Sequence, residues 1–218
     1  MTNAELSKRD LAHIWHPCSQ MSDYDEIIPI KQAYGAVLRD FDGKEYIDCV
    51  SSWWVNILGH SNERIAKAIA NQADKLAQVI LAGFSHEAII KLSERLCASL
   101  GAPFNKCFYG DNGSAAVEIA LKMSYHKNKL QGLEKPLFLN LKNSYHGETI
   151  GALSVGDVEI YKLSYGGILI NAISTKVPMS FKDNEVSEDE ALSDLASILK
   201  DYGHKISAFI AEPLIQCA

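Results

Sequence analysis

Residues 106–141 read KCFYGDNGSAAVEIALKMSYHKNKLQGLEKPLFLNL, and the changes of pattern inside this stretch decide the fold. Cys107 to Tyr109 is a short apolar run that predicts a strand. GDNGS follows as a loop of small residues, Ala115 to Lys129 carries helical spacing, and Leu137 to Leu141 is a continuous apolar run of strand length. Strand, glycine loop, helix and strand in that order form a βαβ unit, which implies a mainly parallel sheet covered by helices and hence an α/β fold.

The flanking sequence extends this pattern. Asp189 to Lys200 is an amphipathic helix that closes at Gly203 and leads into an apolar strand, Ile206 to Ala211. Tyr161 to Val186 is mixed and weakly patterned. On the N-terminal side, Ile89, Leu92, Leu96 and Leu100 share a helix face that Gly101 and Pro103 terminate. Ile65, Ile69, Ala73, Leu76 and Ile80 recur at helical spacing before it. Ala36 to Asp40 and Glu45 to Cys49 are β-rich runs joined through Asp42-Gly43, a hairpin signal. Leu6 to Trp15 predicts a short helix ending before Pro17. Together these predict an N-terminal segment with a small antiparallel sheet over residues 1–60 and an incomplete large domain over residues 61–218. Glu212 to Ala218 follow a buried-type strand with no cap or polar tail, the pattern of a chain cut in mid-domain.

Composition narrows the function classes. The 218 residues are 47% hydrophobic and 22% charged, enough for a sizeable core. A net charge of -6 and the absence of a basic stripe argue against a nucleic-acid partner. Met1 to Asp10 lacks an apolar signal core, and no apolar run approaches the ~20 residues of a membrane span, so the expected setting is cytoplasmic. Cys18, Cys49, Cys97, Cys107 and Cys217 form no CxxC pair and the histidines no HExxH, so no metal site is expected and the thiols read as reduced and mostly buried.

Four places carry possible chemistry. In GDNGS the strand delivers small residues onto a helix N-terminus, where backbone N–H groups and the Ser114 hydroxyl suit an anion such as a phosphate. A plain turn and helix cap is the equal alternative. NSYHGET, Asn143 to Thr149, follows a strand and so faces the crevice at the carboxyl ends of a parallel sheet. Tyr145 there could stack on a flat ring or be a half-buried structural residue, and His146 is more simply a structural hydrogen-bonding partner. SSWW, Ser51 to Trp54, places adjacent indoles on opposite faces of an extended segment, either as one wall of an apolar slot or as core. Glu212-Pro213 ends a strand at the same carboxyl edge, where a carboxylate could orient a cofactor or close a hydrogen-bond network.

Taken in order, HIWHP (His13 to Pro17), Asp42-Gly43, SSWW, GxxGSxAVExA (Gly110 to Ala120), YHG (Tyr145 to Gly147) and AEPLIQ (Ala211 to Gln216) resemble the class III, fold-type I aminotransferases. HIWHP and SSWW are similar to the branch that makes 7,8-diaminononanoate for biotin. The resemblance runs from about Leu11 to the last residue. It implies pyridoxal 5'-phosphate (PLP) as cofactor, with Gly113 and Ser114 on its phosphate and Tyr145 against its ring and bordering the substrate. Trp53 would line the slot for the aliphatic chain of 8-amino-7-oxononanoate, with S-adenosylmethionine as amino donor and a homodimer as the assembly. Cys18 stands where many members carry an aromatic substrate contact, a departure that bears on substrate choice. The resemblance also puts the aspartate partner of the pyridine nitrogen, the Schiff-base lysine and a carboxylate-binding arginine beyond Ala218, so no catalytic lysine is assigned in this chain. Two alternatives stay open: another class III enzyme acting on an ω-amino acid such as ornithine or 4-aminobutyrate, and a non-catalytic piece that binds a partner.

Overall fold

A computed structural model describes residues 1–180 and 185–216. The chain parts into two compact units, Met1–Glu94 and Arg95–Ala218. Division after residue 60 follows the change of motif and stands as a proposal.

The first unit begins with helix α1, Asn3–His13, shifted less than one turn toward the N-terminus from the expected span. Thr2 and Glu5 form a reciprocal capping box, which satisfies two of the helix's orphan amides. Three antiparallel strands follow: β1 (Ile30–Tyr34), β2 (Val37–Asp40) and β3 (Glu45–Ile47), in the order β1-β2-β3. The expected hairpin is β2 and β3, turned at Gly43 with φ 92°. Strand β1 was not anticipated, because IKQAY shows no alternation of apolar and polar residues; four of its five residues are exposed. The buried Asp40 holds the corner together: its carboxylate accepts from Asn3 Nδ2 (2.9 Å), the amides of Asp42 and Lys44, and Tyr46 Oη (2.9 Å). Burial pushes that carboxyl up, but the donors outweigh it and its pKa is lowered.

A single turn, α2 (Ser51–Trp54), carries SSWW, and helices α3 (Glu63–Lys75) and α4 (Glu87–Leu100) complete the sequence pattern. Asn62 caps α3 by accepting from the Ile65 amide, and the helix ends at Leu76, leaving Ile80 outside it. Gly101, φ 69°, terminates α4 as expected, its amide reaching the Cys97 carbonyl at 2.9 Å.

The second unit is the α/β part. Helix α5, Gly113–Leu130, is capped by Asn112 Oδ1 on the Ala115 amide at 2.8 Å, and Lys127 and Lys129 oppose the negative dipole end in its last turn. Strand β4, Leu137–Leu141, lies between β5 (Ala172–Thr175) and β6 (Ile206–Ile210), and both pairings are parallel. The short helices α6 (Ile150–Ser154) and α7 (Glu159–Lys162) lie between β4 and β5 in the chain. Helix α8 (Glu188–Tyr202) connects β5 to β6; Ser187 caps it and Glu188, Asp189 and Glu190 fill its first turn. The core is Leu121, Phe138 and Val155, with Val117, Ala172, Ala208 and Ile210 packed on it. Buried Asn140 in β4 is satisfied by Ser144 Oγ (3.3 Å) and Ser174 Oγ (3.1 Å).

Two expectations fail here. Cys107 to Tyr109, read as a strand, joins neither sheet, and Phe108 is exposed. An apolar run becomes a strand only beside another with a free edge, and β5-β4-β6 does not reach it. Conversely, the weakly patterned Tyr161–Val186 stretch begins inside α7 and contains β5, whose four residues AIST are too few to show a period.

Candidate functional site

In the second unit, the loops that follow β4 and precede α5 pack on one another. The Gly147 backbone lies so close to Ser114 that a Cβ there would fall 2.1 Å from Ser114 Oγ, and Gly147 has φ 120°, a region L-residues rarely enter. At the other side of GDNGS, a Cβ on Gly110 would lie 3.1 Å from the Ala116 amide. Asn112 serves the amides of Ala115 and Ala116, which leaves those of Gly113 and Ser114 outside the intrahelical ladder at the positive end of α5.

Residues from two parallel strands meet at the carboxyl edge. The Tyr145 amide donates to Glu212 Oε2 at 3.1 Å, joining the loop after β4 to the residue that follows β6. Glu212 thus takes the network position that its place in the sequence indicated. Tyr145 is half-buried; its ring stands edge-on to Tyr161 at 5.9 Å, and its hydroxyl donates to Glu148 at 3.1 Å. His146 Nε2 is buried with no hydrogen-bond partner among the described residues. Burial pushes its imidazole pKa down, against the upward pull of the Glu212 carboxylate. A buried ring nitrogen without a partner costs free energy unless a polar group is brought to it.

The first unit contains Trp53 and Cys18. SSWW is not extended: Ser51, Ser52, Trp53 and Trp54 have φ of 50°, 49°, 62° and 65°, a left-handed turn. Neither indole is core, with Trp53 61% and Trp54 64% exposed. Left-handed conformation costs roughly 1–2 kcal/mol per L-residue, so the turn persists only because its surroundings impose it. Asp48 does this. Its carboxylate accepts from the amides of Val50 (3.3 Å) and Ser52 (3.0 Å), from Ser52 Oγ (2.8 Å), and pairs with His60 Nε2 at 2.7 Å. The Ser52 amide, then His60 and the Ser52 hydroxyl, hold its pKa down at about 2. A cavity lined by Gly35, Asp48, Ser51, Asn56 and His60 lies behind the turn. Cys18 is exposed in a tight turn with φ 57°.

The structure therefore brings Gly113, Ser114, Tyr145, His146 and Glu212 into one region, and Trp53 and Cys18 belong to the other unit. Sequence reasoning missed Asp48 and also Glu118, which accepts from Thr149 Oγ1 and the Gly151 amide. The signal for Glu118 was available: it lies one helical turn after Ser114 on the same face of α5. The cysteines are less buried than expected. Cys18 and Cys49 are exposed, Cys97 and Cys107 are half-buried with sulfurs 3.8 Å apart, and Cys217 lies outside the described residues. These chain positions sit next to polar turns and helix ends, where a small thiol is not drawn into the core.

The chain is 52% identical over 217 residues to the adenosylmethionine-8-amino-7-oxononanoate aminotransferase of Helicobacter pylori, a match covering 98% of this chain and 48% of the relative. The crystal structure of the enzyme of that name from Methanocaldococcus jannaschii superimposes with a TM-score of 0.85 at 33% identity, over 94% of this chain and 46% of that one. An omega transaminase from Pseudomonas jessenii, solved in complex with PMP, gives a TM-score of 0.84 at 27% identity over 96% and 49%. The chain spans about half the length of the curated relatives it matches. A family profile described as aminotransferase class-III matches residues 19–218, so the chain belongs to the class III aminotransferase family.

Proposed function

We propose that the protein carrying this chain is a PLP-dependent transaminase that converts 8-amino-7-oxononanoate to 7,8-diaminononanoate in biotin biosynthesis, with S-adenosylmethionine as donor. The observation that carries the reading is the docking of the YHG loop on the N-terminus of α5 beside Glu212, in a chain of this family. The substrate follows from the 52% identical relative's name.

The residues fit a phosphorylated aromatic ring. Amides of Gly113 and Ser114, with the Ser114 hydroxyl, offer donors at a positive helix end, which suits a phosphate. Tyr145 presents a half-buried ring, and the unpartnered His146 Nε2 presents a buried polar atom to whatever fills the space beside it. When bound, PLP supplies an electron sink and carries the amino group from donor to acceptor. This chain's contribution is to bind and orient: Gly113 and Ser114 hold the phosphate, Tyr145 fixes the plane of the ring, and Glu212 fixes the Tyr145 backbone. Trp53, held outward by the Asp48 turn, walls the aliphatic part of the substrate, and Cys18 occupies a neighbouring substrate position. The covalent step is assigned to no residue between Met1 and Ala218. We further infer a homodimer in the cytoplasm.

A second reading, another class III ω-transaminase, draws support from the Pseudomonas jessenii neighbour. Both are decided by assaying the intact protein with 8-amino-7-oxononanoate and S-adenosylmethionine beside ornithine and 4-aminobutyrate. Turnover of the first pair alone supports the proposal, and turnover only of the ω-amino acids overturns it. Trp53→Ala should lower kcat/KM for the oxononanoate while bound PLP survives. An unfolded variant would instead make Trp53 a structural residue, and unchanged selectivity in Cys18→Tyr would remove Cys18 from the site.

A further inference from the structure

Two residues of α5 one turn apart, Ser114 and Glu118, face two glycines that are also four apart, Gly147 and Gly151. Each glycine is a close approach. A Cβ on Gly147 would lie 2.1 Å from Ser114 Oγ, and one on Gly151 would lie 2.2 Å from Glu118 Oε2. Residues i and i+4 of a helix lie on one face, so the pairs form a matched register between α5 and the segment running from the YHG loop into α6. Glu118 closes that register with hydrogen bonds. Its Oε1 accepts from Thr149 Oγ1 at 2.6 Å and from the Gly151 amide at 2.7 Å.

The second bond is a borrowed cap. Thr149 is the N-cap residue of α6, yet its side chain makes no capping bond to its own helix. The hydroxyl is turned to Glu118, and the carboxylate of another helix satisfies the first-turn amide in its place. That amide belongs to a fully buried stretch, Gly151 to Val155, where an unmet donor is costly. We propose that Glu118 is a positioning residue: it clamps residues 147–151 to α5, and so holds Tyr145 at a fixed offset from the anion seat at Gly113-Ser114. The proposal rests on the reading of that seat as the PLP site. Glu118 itself touches no cofactor in this scheme and acts only through the loop.

The test uses the intact protein with Glu118→Ala, Glu118→Gln and Thr149→Val. Three readouts are followed: amide hydrogen exchange of residues 147–153 in the PLP-free protein, PLP dissociation constant, and the circular dichroism induced in the visible band of bound PLP. Glutamine keeps an oxygen acceptor at the same reach, so Glu118→Gln should stay within about threefold of the parent in exchange and affinity. Glu118→Ala should exchange the Gly151 amide about tenfold faster or more, bind PLP about tenfold more weakly and lose most of the induced signal. Thr149→Val should fall between. Parent-like exchange in Glu118→Ala overturns the clamp, and so does Glu118→Gln as impaired as Glu118→Ala. If Glu118→Ala does not fold, the other two variants decide: faster exchange in Thr149→Val supports the clamp, and parent-like exchange overturns it. Failure of the parent itself to bind PLP would sink the cofactor reading alone, because the exchange measurement needs no cofactor.

Discussion

At the scale of single residues, the two sites rest on side chains whose charge states the fold sets. Asp48 has a folded pKa of about 2 against an ordinary 3.8. A depressed carboxylate contributes stability above its unfolded pKa, and that contribution disappears as pH falls from about 4 toward 2. Asp48→Asn should therefore be less stable than the parent at neutral pH and lose less on acidification, as read from thermal midpoints across that range. His146 behaves with the opposite charge and the same slope. Its pKa is lowered from 6.5, so the folded state prefers the neutral ring and stability is present above that value and lost as pH falls below it. His146→Gln should flatten the decline between about pH 7 and about pH 5, and an unchanged slope would remove His146 from the acid response. Ser114→Ala in the intact protein removes one charge-assisted hydrogen bond and should weaken PLP binding by ~1.5–3 kcal/mol. Unaltered affinity in a titration would count against the anion seat. The residue types at these places were legible from the sequence in the case of Ser114, Tyr145, His146 and Glu212. Asp48 was not, because its role comes from Ser52 and His60, four and twelve positions away, folding back onto it.

Among the elements, α5 has the central part, since it carries the anion seat at its first turn, Glu118 one turn on, and core contacts through Val117 and Leu121. Its boundaries follow from local chemistry. Asn112→Ala deletes the cap and should cost about 0.5–2 kcal/mol in unfolding, with Asn112→Asp close to neutral. Chemical denaturation measures it, and equal stability of the Ala variant would show the cap to be dispensable. Periodicity and Gly203 placed α8 to within a few residues in the sequence, the Ser187 cap emerging only in the structure, and β4 was located to the residue. LFLNL is buried on both faces between two parallel neighbours, so its apolar run is continuous. Strands that depend on a neighbour were misjudged. Ala172–Thr175 qualifies through pairing with β4, whereas Cys107 to Tyr109 has strand composition and no ladder. SSWW is the sharpest case: β-favouring residues are held in a left-handed turn by a carboxylate outside it.

On the scale of the whole molecule, the chain presents much apolar surface. Trp53, Val55, Ile57 and Leu58 in the first unit, and Ile160, Leu163 and Ile168 in the second, are all exposed. Surface of this kind favours association, so the 218-residue chain expressed alone should elute as oligomer or aggregate in size-exclusion chromatography. It should also turn over no substrate with PLP in excess. Borohydride reduction and peptide mapping check this: scattered pyridoxyl-lysine without product agrees, and stoichiometric labelling of one lysine with turnover refutes it. Among the described residues no helix is long and apolar enough to cross a membrane. By itself the sequence determined the α/β class, helix α5 and strand β4, the glycine stops at Gly101 and Gly203, and the family, because these depend on periodicity, on terminating residues and on motifs a few positions long. Tertiary structure alone decided which runs became strands, that SSWW turns left-handed and outward, and that Gly147 and Gly151 seat on Ser114 and Glu118. Those outcomes depend on partners distant in the chain, and no local pattern encodes a distance of closest approach.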